Sequence, residues 1–204
     1  MRRTSSDSQP TTRVVRFPCV ARSLGASCEC RMAVGGGIIL LARSIMSIPT
    51  RLSLYLDQHH VHYEVSEHRW SRSSAQTARL AHVSPRSIAK SVILEDDLGL
   101  VMAVLPADKY VMLGRLAQLL NRRELHLSDE QRIAAVFADC DRGAVPPVGM
   151  AWGIETVVDE ELEDHDPVYL EGGDHQRLLR MARDQFCALM KKARHGNFCK
   201  SPLH

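Results

Sequence analysis

The sequence lacks a long apolar run of the kind that a transmembrane helix requires. The stretch Gly35–Ala42, "GGGIILLA", is far shorter than the roughly 20 residues that span a bilayer, so we expect no membrane partner. Regularly spaced cysteines are missing too: Cys28 and Cys30 form a lone pair, and no second pair completes a zinc site. The sequence therefore predicts reduced thiols in a cytoplasmic protein.

A strong charge of one sign is also missing. The net charge of the 204 residues is +2, which does not indicate a protein that coats nucleic acid. The charge is divided unevenly, because residues 1–45 carry seven Arg against two acidic residues, whereas residues 46–204 carry 19 basic and 22 acidic residues. With no helix-turn-helix pattern, this balance disfavours a DNA-binding regulator and leaves room for a local basic patch.

The first 45 residues differ from the rest of the chain. They are rich in Arg, Ser and Thr and show no helical or strand periodicity. A transit peptide, a disordered basic arm, or residues upstream of a true start at Met46 would each fit, and we favour the last. Residues 46–204 open with a helix-start pattern, with Pro49 in the first turn. We expect 1–45 to be a disordered or spurious extension and 46–204 to be one domain.

Helical and strand patterns alternate irregularly after Met46. The predicted helices, after the first one at Pro49, are 73–81, 113–121, 132–137 and 184–193; the predicted strands are 61–65, 124–127, 155–159, 167–171 and two strands between Ser87 and Pro106; residues 175–181 fit either. Ser73 with Gln76, and Ser128 with Gln131, have capping-box spacing. This pattern predicts an α/β (α+β mixed) single domain with a curved, mostly antiparallel mixed sheet packed by helices.

A lysine, Lys90, stands in one of the two central apolar strands. Alternation along the strand puts Lys90 and Leu94 on one face and Ser91 on the other. Both faces carry apolar residues, so the strand is predicted to be buried on both sides. A lysine there must reach water, pair with a carboxylate or face a cleft, because an unpaired ammonium in apolar surroundings is costly. Spacing alone favours a lysine that reaches solvent from the strand start.

Four motifs occur in a specific order along the chain. They are "AKSVILEDDLGLVMAVLPADK" from Ala89, "DCDRGAVPPVG" from Asp139, "VVDEEL" from Val157 and "VYLEGGDH" from Val168. Together they resemble the YbaK family of aminoacyl-tRNA editing domains, which is related to the insertion domain of bacterial prolyl-tRNA synthetases. The resemblance covers residues 46–195 and implies a YbaK-like fold.

The resemblance implies a hydrolase that removes a wrongly attached amino acid from its tRNA. The family's functional lysine, at the start of a buried strand, matches Lys90, which is therefore the predicted catalytic residue. The family's Gly-x-x-x-Pro loop lines the aminoacyl pocket and matches Gly143 and Pro147. The other predicted substrate-binding residues are Gly149, His68, Gly172, Gly173 and His175. No cofactor and no metal are expected, since no Cys/His set has ligand spacing in 46–204.

The chemistry is compatible with these residues. An aminoacyl ester is already activated, so its hydrolysis depends on positioning. Lys90 can hold a phosphate or the ester carbonyl, and Gly143 lets a backbone N–H approach closely; no side chain is assigned as general base. The sequence departs from better-studied members at Glu171, where several have a serine, and at Ser66, where they have a tyrosine. These departures leave the amino-acid specificity open.

The predicted function is a stand-alone, trans-editing deacylase for a small amino acid, with proline tRNA as a candidate carrier. The expected partner is the aminoacylated 3′ end of tRNA, with no DNA; an aminoacyl-tRNA synthetase or an elongation factor is a candidate further partner, and the oligomeric state is open. The alternative is a non-catalytic protein that kept the pocket and senses an amino acid or binds tRNA.

Other polar residues have simpler interpretations. The histidines at 59, 60 and 62 fit a surface turn, and Cys140 fits a buried structural thiol because no activating partner is visible. The acidic run 95–97 fits a solvated turn. The basic segment 191–200 fits a solvated helix end, with contact to tRNA phosphates as the alternative.

Overall fold

The two strands predicted between Ser87 and Pro106 are present, and they form a hairpin in the interior of a large sheet. The computed structural model describes residues 48–202. Our expectations for residues 1–45, including the pair Cys28 and Cys30, lie outside the described residues and stay predictions. No helix in the described part of the chain is long and apolar enough to cross a membrane.

The described residues form the following elements. The helices are α1 (Thr50–Gln58), α2 (Ser74–Leu80), α3 (Leu113–Leu120), α4 (Glu130–Val136) and α5 (Arg183–Met190). The strands are β1 (Glu64–Glu67), β2 (Ile88–Asp96), β3 (Gly99–Pro106), β4 (Tyr110–Val111), β5 (His126–Leu127), β6 (Glu155–Asp159), β7 (Val168–Glu171), β8 (Arg177–Met181), β9 (Arg194–Gly196) and β10 (Cys199–Lys200).

The main sheet is mixed. Its strand order is β1-β8-β7-β2-β3-β6-β9, with β5 pairing on β2, and β10 pairs separately with β4. The β2–β3, β2–β5, β1–β8 and β7–β8 pairs are antiparallel, whereas β2–β7, β3–β6 and β6–β9 are parallel. The prediction of a mixed α/β fold with a mostly antiparallel sheet is confirmed.

Both faces of the central hairpin are covered. One face packs against leucines of α1 and against Phe186 of α5, in a core cluster that includes Ile93 of β2. The other face packs against leucines of α3 and against Phe198, in a cluster that includes Leu94. The predicted burial of β2 on both faces is confirmed, and Lys90 lies on the α3 face because it alternates with Ala89 and Ser91.

One of the two predicted helix caps is present. Ser73 caps α2 and accepts a hydrogen bond from the Gln76 N–H at 3.3 Å. The predicted cap at Ser128 is wrong, because Asp129 caps α4 and accepts from the Gln131 N–H at 2.7 Å. Ser128 instead donates its hydroxyl to the Glu95 carboxylate at 3.1 Å.

The acidic run 95–97 is more than a solvated turn. The side chain of Asp96 is buried and forms an ion pair with Arg122, whose guanidinium also contacts Glu155 at 2.6 Å. The charges in this stretch therefore connect β2, the residues after α3, and β6. The interpretation as a plain solvated turn is wrong at Asp96.

The C-terminal segment is also more ordered than predicted. Residues 175–181, which the pattern left open, supply strand β8, and the expected helix end after α5 instead supplies β9 and β10. Phe198 between β9 and β10 is fully buried, and its N–H donates to the buried Asp159 carboxylate at 2.9 Å. The interpretation as a solvated helix end is therefore wrong.

Candidate active site

One edge of β2 is open where Lys90 lies. β3 pairs along the opposite edge of β2. The edge that concerns Lys90 is shared by β7 and β5. β7 pairs only with the first two residues of β2, and β5 pairs only at Leu94 and Glu95. Among the described strands, residues 90–93 therefore have no partner on this edge. A loop packs against β2 at this point, and Ser91 Oγ donates to the Val145 carbonyl at 2.7 Å.

That loop is the Gly-Pro loop, Gly143–Gly149. Only its first residue is exposed, because Ala144–Gly149 are all buried. Gly143 has φ +83°, a left-handed conformation that favours glycine. Pro146 and Pro147 restrict the middle of the loop, since each ring fixes φ and removes an N–H donor. The structure thus presents Gly143 at the surface on a stiff support.

Gly149, at the other end of the loop, lies in the core. A Cβ at this position would come within 2.6 Å of Thr156 Oγ1 and 3.0 Å of Met102 Cβ. Glycine is therefore needed here for packing, and both Gly149 and Pro147 lie beneath the exposed start of the loop. Gly149 and Pro147 can therefore affect substrate binding only by fixing the position of Gly143.

The paired glycines shape the turn between β7 and β8. A Cβ on Gly172 would lie 2.9 Å from the Arg177 carbonyl, and one on Gly173, which has φ +102°, would lie 2.8 Å from Pro49 Cγ. Asp174 Oδ1 accepts hydrogen bonds from the Gln176 and Arg177 N–H groups, which completes the turn. Both glycines are buried, so they act on the site through backbone shape.

His175 joins this glycine turn to the Gly-Pro loop. It is 7% exposed and has φ +58°, an uncommon conformation for a non-glycine residue. Its Nε2 lies 2.7 Å from the Arg142 carbonyl, so Nε2 must carry a proton that it donates to this oxygen. The Asp141 N–H donates to the Gly173 carbonyl at 2.8 Å, so two contacts fix the residues that precede Gly143.

His68 lies in the loop that follows β1, beside the same turn. Its N–H donates to the Gln176 carbonyl at 2.8 Å, and its Nδ1 lies 2.8 Å from the Arg69 carbonyl. Its Nε2 is buried without a hydrogen-bond partner among the described residues. The structure therefore places His68 and His175 on adjoining loops.

Glu171 has an unusual environment at the end of β7. Burial raises the pKa of its carboxyl to about 7, and the charge of Asp174 adds to the shift. The nearby Gly172 and His175 backbone N–H groups oppose the shift, and Oε1 is buried without a partner in the described region. A neutral carboxyl is therefore well populated near pH 7.

Lys90 lies one step beyond the last registered β2–β7 pair, Ala89 with Leu170. Its Nζ donates to the Ala107 carbonyl at 3.1 Å and lies 5.3 Å from the Tyr110 ring centroid. Burial lowers its pKa, against the opposing charge of Asp108.

No carboxylate of residues 48–202 forms an ion pair with Lys90, and Asp108 pairs with Arg86 instead at 3.5 Å. The ammonium is thus half-buried and uncompensated. It lies on the face of β2 opposite to Ser91 and the Gly-Pro loop, so the structure brings the backbone of Lys90, but not its ammonium, to that loop.

A cavity of about 280 Å³ opens between α4 and the start of the Gly-Pro loop. Its apolar wall includes Phe137 and Val145, and its polar residues include Glu130, Asp141 and Arg142. The cavity is small beside sites for drug-sized ligands, which occupy about 300–1,000 Å³. Gly143 is part of its lining, so one residue borders both the cavity and His175.

Cys140 also lines this cavity. Burial raises the pKa of its thiol to about 12, and Asp139, Asp141 and Glu171 add to the shift. A thiol with this pKa is a poor nucleophile at neutral pH. The geometry favours the structural interpretation of Cys140.

One group of possible metal ligands occurs in residues 48–202, at Asp159, Glu161 and Cys199. Asp159 already accepts hydrogen bonds from three backbone N–H groups, and Glu161 pairs with Lys109 at 2.8 Å. These bonds explain the cluster without an ion. The expectation of a metal-free protein stays a prediction.

The sequence did not single out Trp70. This tryptophan is exposed, and its ring centroid lies 5.6 Å from that of His175. An aromatic residue inside the polar stretch "HRWSRSS" was the one available signal. Its proximity to His175 depends on a contact across more than a hundred residues, which no local pattern reveals.

Comparison with known proteins identifies the family. The family model described as "Aminoacyl-tRNA editing domain" matches residues 68–189, more than half of the chain. A sequence search of curated proteins gave no match.

Several solved structures share the fold. A proposed trans-editing enzyme for prolyl-tRNA synthetase has a TM-score of 0.65 at 20% identity, over 78% of this chain and 100% of that chain. A hypothetical protein has a TM-score of 0.65 at 22% identity, over 74% and 99%. A proposed signal transduction protein of Marinobacter aquaeolei has a TM-score of 0.59 at 23% identity, over 74% of this chain and 30% of that one. At these identities the likeness establishes the fold alone, and it is the family match that shows that this chain belongs to the aminoacyl-tRNA editing domain family.

Proposed function

We propose that this protein is a trans-editing deacylase that hydrolyses the ester between a small, wrongly attached amino acid and its tRNA in the cytoplasm. The observation that carries the proposal is the position of Gly143. It is exposed, it has a left-handed backbone, and it lies between a small cavity and the buried His175. The domain that performs this function comprises residues 46–204.

The cavity fits the aminoacyl group. Its volume of about 280 Å³ suits a small side chain beside the apolar wall of Phe137 and Val145. The carboxylates of Glu130 and Asp141 can attract the α-ammonium of the amino acid. Because one methylene in an apolar pocket changes binding by only about 1–3 kcal/mol, we expect overlapping activity among small residues, with proline tRNA as one candidate carrier.

The reaction requires water to attack the ester carbonyl carbon and the bond to the ribose oxygen to break, with a proton passing to that oxygen. The absent Cβ of Gly143 allows backbone N–H groups to approach the developing oxyanion. His175 and the two prolines keep this backbone in place before the substrate binds.

Lys90 supplies the positive charge. Its ammonium has only a carbonyl and an aromatic ring as partners in the described region, so an anionic group such as a tRNA phosphate would compensate it. In this proposal the side chain leaves the Ala107 carbonyl and turns toward the open edge of β2 when the substrate binds. The proposal therefore gives Lys90 the role of positioning the substrate by charge.

The test is a panel of tRNAs, each charged with a non-cognate amino acid and incubated with the full chain in the presence of a chelator. We expect release of a small amino acid from at least one of them. The alternative, a binding protein without activity, is favoured by Glu171, whose buried carboxyl occupies the place of the serine in better-studied relatives. Binding of the charged tRNAs without release from any of them would support the alternative and contradict the deacylase.

A further inference from the structure

Trp70 is an exposed aromatic residue at the rim of the candidate site. It lies between β1 and α2, and half of its surface is exposed. Its ring centroid is 5.6 Å from that of His175, at an interplanar angle of 60°. Its position beside a candidate site therefore offers a flat apolar surface on which a ligand can stack.

The backbone on both sides of Trp70 is held in place. Ser71 is buried, its N–H donates to the His175 carbonyl at 3.2 Å, and its hydroxyl lies 2.7 Å from that of Thr77 in α2. On the other side, the His68 N–H donates to the Gln176 carbonyl at 2.8 Å. The loop is therefore attached to the glycine turn, and little conformational entropy remains to be lost when a ligand binds to the ring.

The charges around the ring suit a polyanion. The Arg72 guanidinium carbon lies 5.7 Å from the ring centroid. Arg69 directly precedes Trp70, Arg142 directly precedes Gly143, and both arginines are exposed. Two of the nearby acids are engaged, since Asp174 and Glu67 both contact Arg177. Arg69, Arg72 and Arg142 form no ion pair within residues 48–202, and an exposed aromatic ring among such arginines is the combination that binds single-stranded nucleic acid.

We propose that Trp70 is the platform on which the terminal adenine of the tRNA 3′ end stacks. The inference rests on the proposed function, because the ester that Gly143 would contact is carried by the ribose of that same nucleotide. In the terminal nucleotide, one ribose lies between the ester and the base. In the protein, His175 lies between Gly143 and Trp70. Stacking on Trp70 fixes the terminal nucleotide with the ester over Gly143, and it is indifferent to the identity of the tRNA.

The chain offers a direct spectroscopic test, because Trp70 and Trp152 are its two tryptophans. Trp152 packs against Phe137 and donates to Asp139 at 3.2 Å, so Trp152→Phe leaves Trp70 as the sole reporter. We expect its fluorescence to be quenched by an uncharged RNA hairpin that ends in CCA. The same hairpin with an abasic terminal nucleotide should quench weakly and bind about 5- to 150-fold less tightly, the range expected for the loss of one stacked base.

Two substitutions of Trp70 separate stacking from simple apolar contact. Trp70→Leu should raise the Kd for the CCA hairpin by the same factor as the abasic nucleotide, whereas Trp70→Phe should retain most of the affinity. The matched control is Leu98→Ala, which removes another exposed apolar side chain, on the β2–β3 turn, and should leave the Kd unchanged. With charged tRNA, Trp70→Leu should raise KM with little effect on kcat.

The outcomes distinguish this inference from the proposed function. Quenching that requires the terminal base, in a protein that hydrolyses none of the charged tRNAs, would support the platform and contradict the deacylase. Hydrolysis that is insensitive to Trp70→Leu would leave the deacylase standing and overturn the platform. Equal affinity for the intact and abasic hairpins, or no binding of either, would also overturn it.

Discussion

At the scale of single residues, the candidate site depends on two unusual backbone conformations. Gly143 and His175 both have positive φ. The His175 imidazole bonds to the carbonyl of Arg142, the residue before Gly143. A side chain that holds a loop in this way acts through position, so its effects should appear in activity before they appear in stability.

Gly143→Ala should reduce kcat/KM by about 10- to 100-fold, because a displaced backbone no longer meets the ester carbonyl. The new Cβ would be 3.6 Å from His175 Cε1, an ordinary contact, so the cost comes from φ +83°, about 1–2 kcal/mol. Steady-state kinetics with a mischarged tRNA measure the effect.

Gly99→Ala is the control for Gly143→Ala. Gly99 has φ +116° on the β2–β3 turn with no atom within 4 Å of its would-be Cβ, so it should lose stability without losing activity. An unaltered rate and amino-acid preference in Gly143→Ala would show that the loop does not border the substrate.

Glu171 predicts a pH dependence of stability. The pKa of its carboxyl is 4.5 ordinarily and about 7 in the folded protein, so the folded state binds the proton more tightly than the unfolded state does. The free energy of unfolding should therefore fall as the pH rises from 4.5 to 7 and stay lower above that. Glu171→Gln, whose amide cannot ionise, should lose this decline, which is at most about 3 kcal/mol.

Urea unfolding of the wild type and of Glu171→Gln at pH 5 and pH 8 measures this contribution, because the other titrating groups are common to both proteins. Relative to the wild type, Glu171→Gln should have a higher free energy of unfolding at pH 8 than it has at pH 5. Parallel behaviour at both pH values would mean that Glu171 is not kept neutral by its surroundings.

At the scale of elements, the sequence predicted the helices, caps and turns that depend on interactions between residues close together in the chain. The Ser73 cap, the β2–β3 hairpin and the helices α3 and α5 follow from periodicity and capping within a few residues. The Ser128 cap was wrong because Glu95, a residue of β2, competes for its hydroxyl. Strands β9 and β10 were missed because their polar sequence pairs only when β6 and β4 are in place.

In the candidate site, too, features set by local sequence could be predicted, and features set by contacts between distant residues could not. Lys90, Gly143 and His175 could be named from motifs, since each lies in a recognisable local stretch. The open edge of β2 and the position of Trp70 could not, because both follow from strand pairing and loop contacts between distant parts of the chain.

The C-terminal segment gives a prediction at this scale. Phe198 is fully buried against the α3 face, so Phe198→Ala should lower the free energy of unfolding by about 3–5 kcal/mol. Leu127→Ala, at an exposed position on β5, should change it by less than about 0.5 kcal/mol. Urea denaturation compares the two, and equal effects would show that the segment does not anchor the fold.

At the scale of the whole molecule, the fold does not determine the chemistry. Similar folds occur in a proposed trans-editing enzyme and within a longer proposed signal transduction protein, so activity must be argued from the site.

The role of residues 1–45 is a separate prediction at this scale. They have no periodic apolar face and should add little buried area. A chain that starts at Met46 should therefore match the full chain in melting temperature and deacylation rate. A clear fall in either value after truncation would mean that the segment contributes to the folded domain.

The most direct test of the account is the single-turnover rate of deacylation by the wild type and by Lys90→Ala on the mischarged tRNA that the wild type hydrolyses best. Loss of one positioned charge should slow the reaction by about 10²–10³-fold. The melting temperature should be unchanged or higher, because the substitution removes a half-buried ammonium with no carboxylate partner among the described residues. A Lys90→Ala protein that deacylates at the wild-type rate would contradict the assignment of this site.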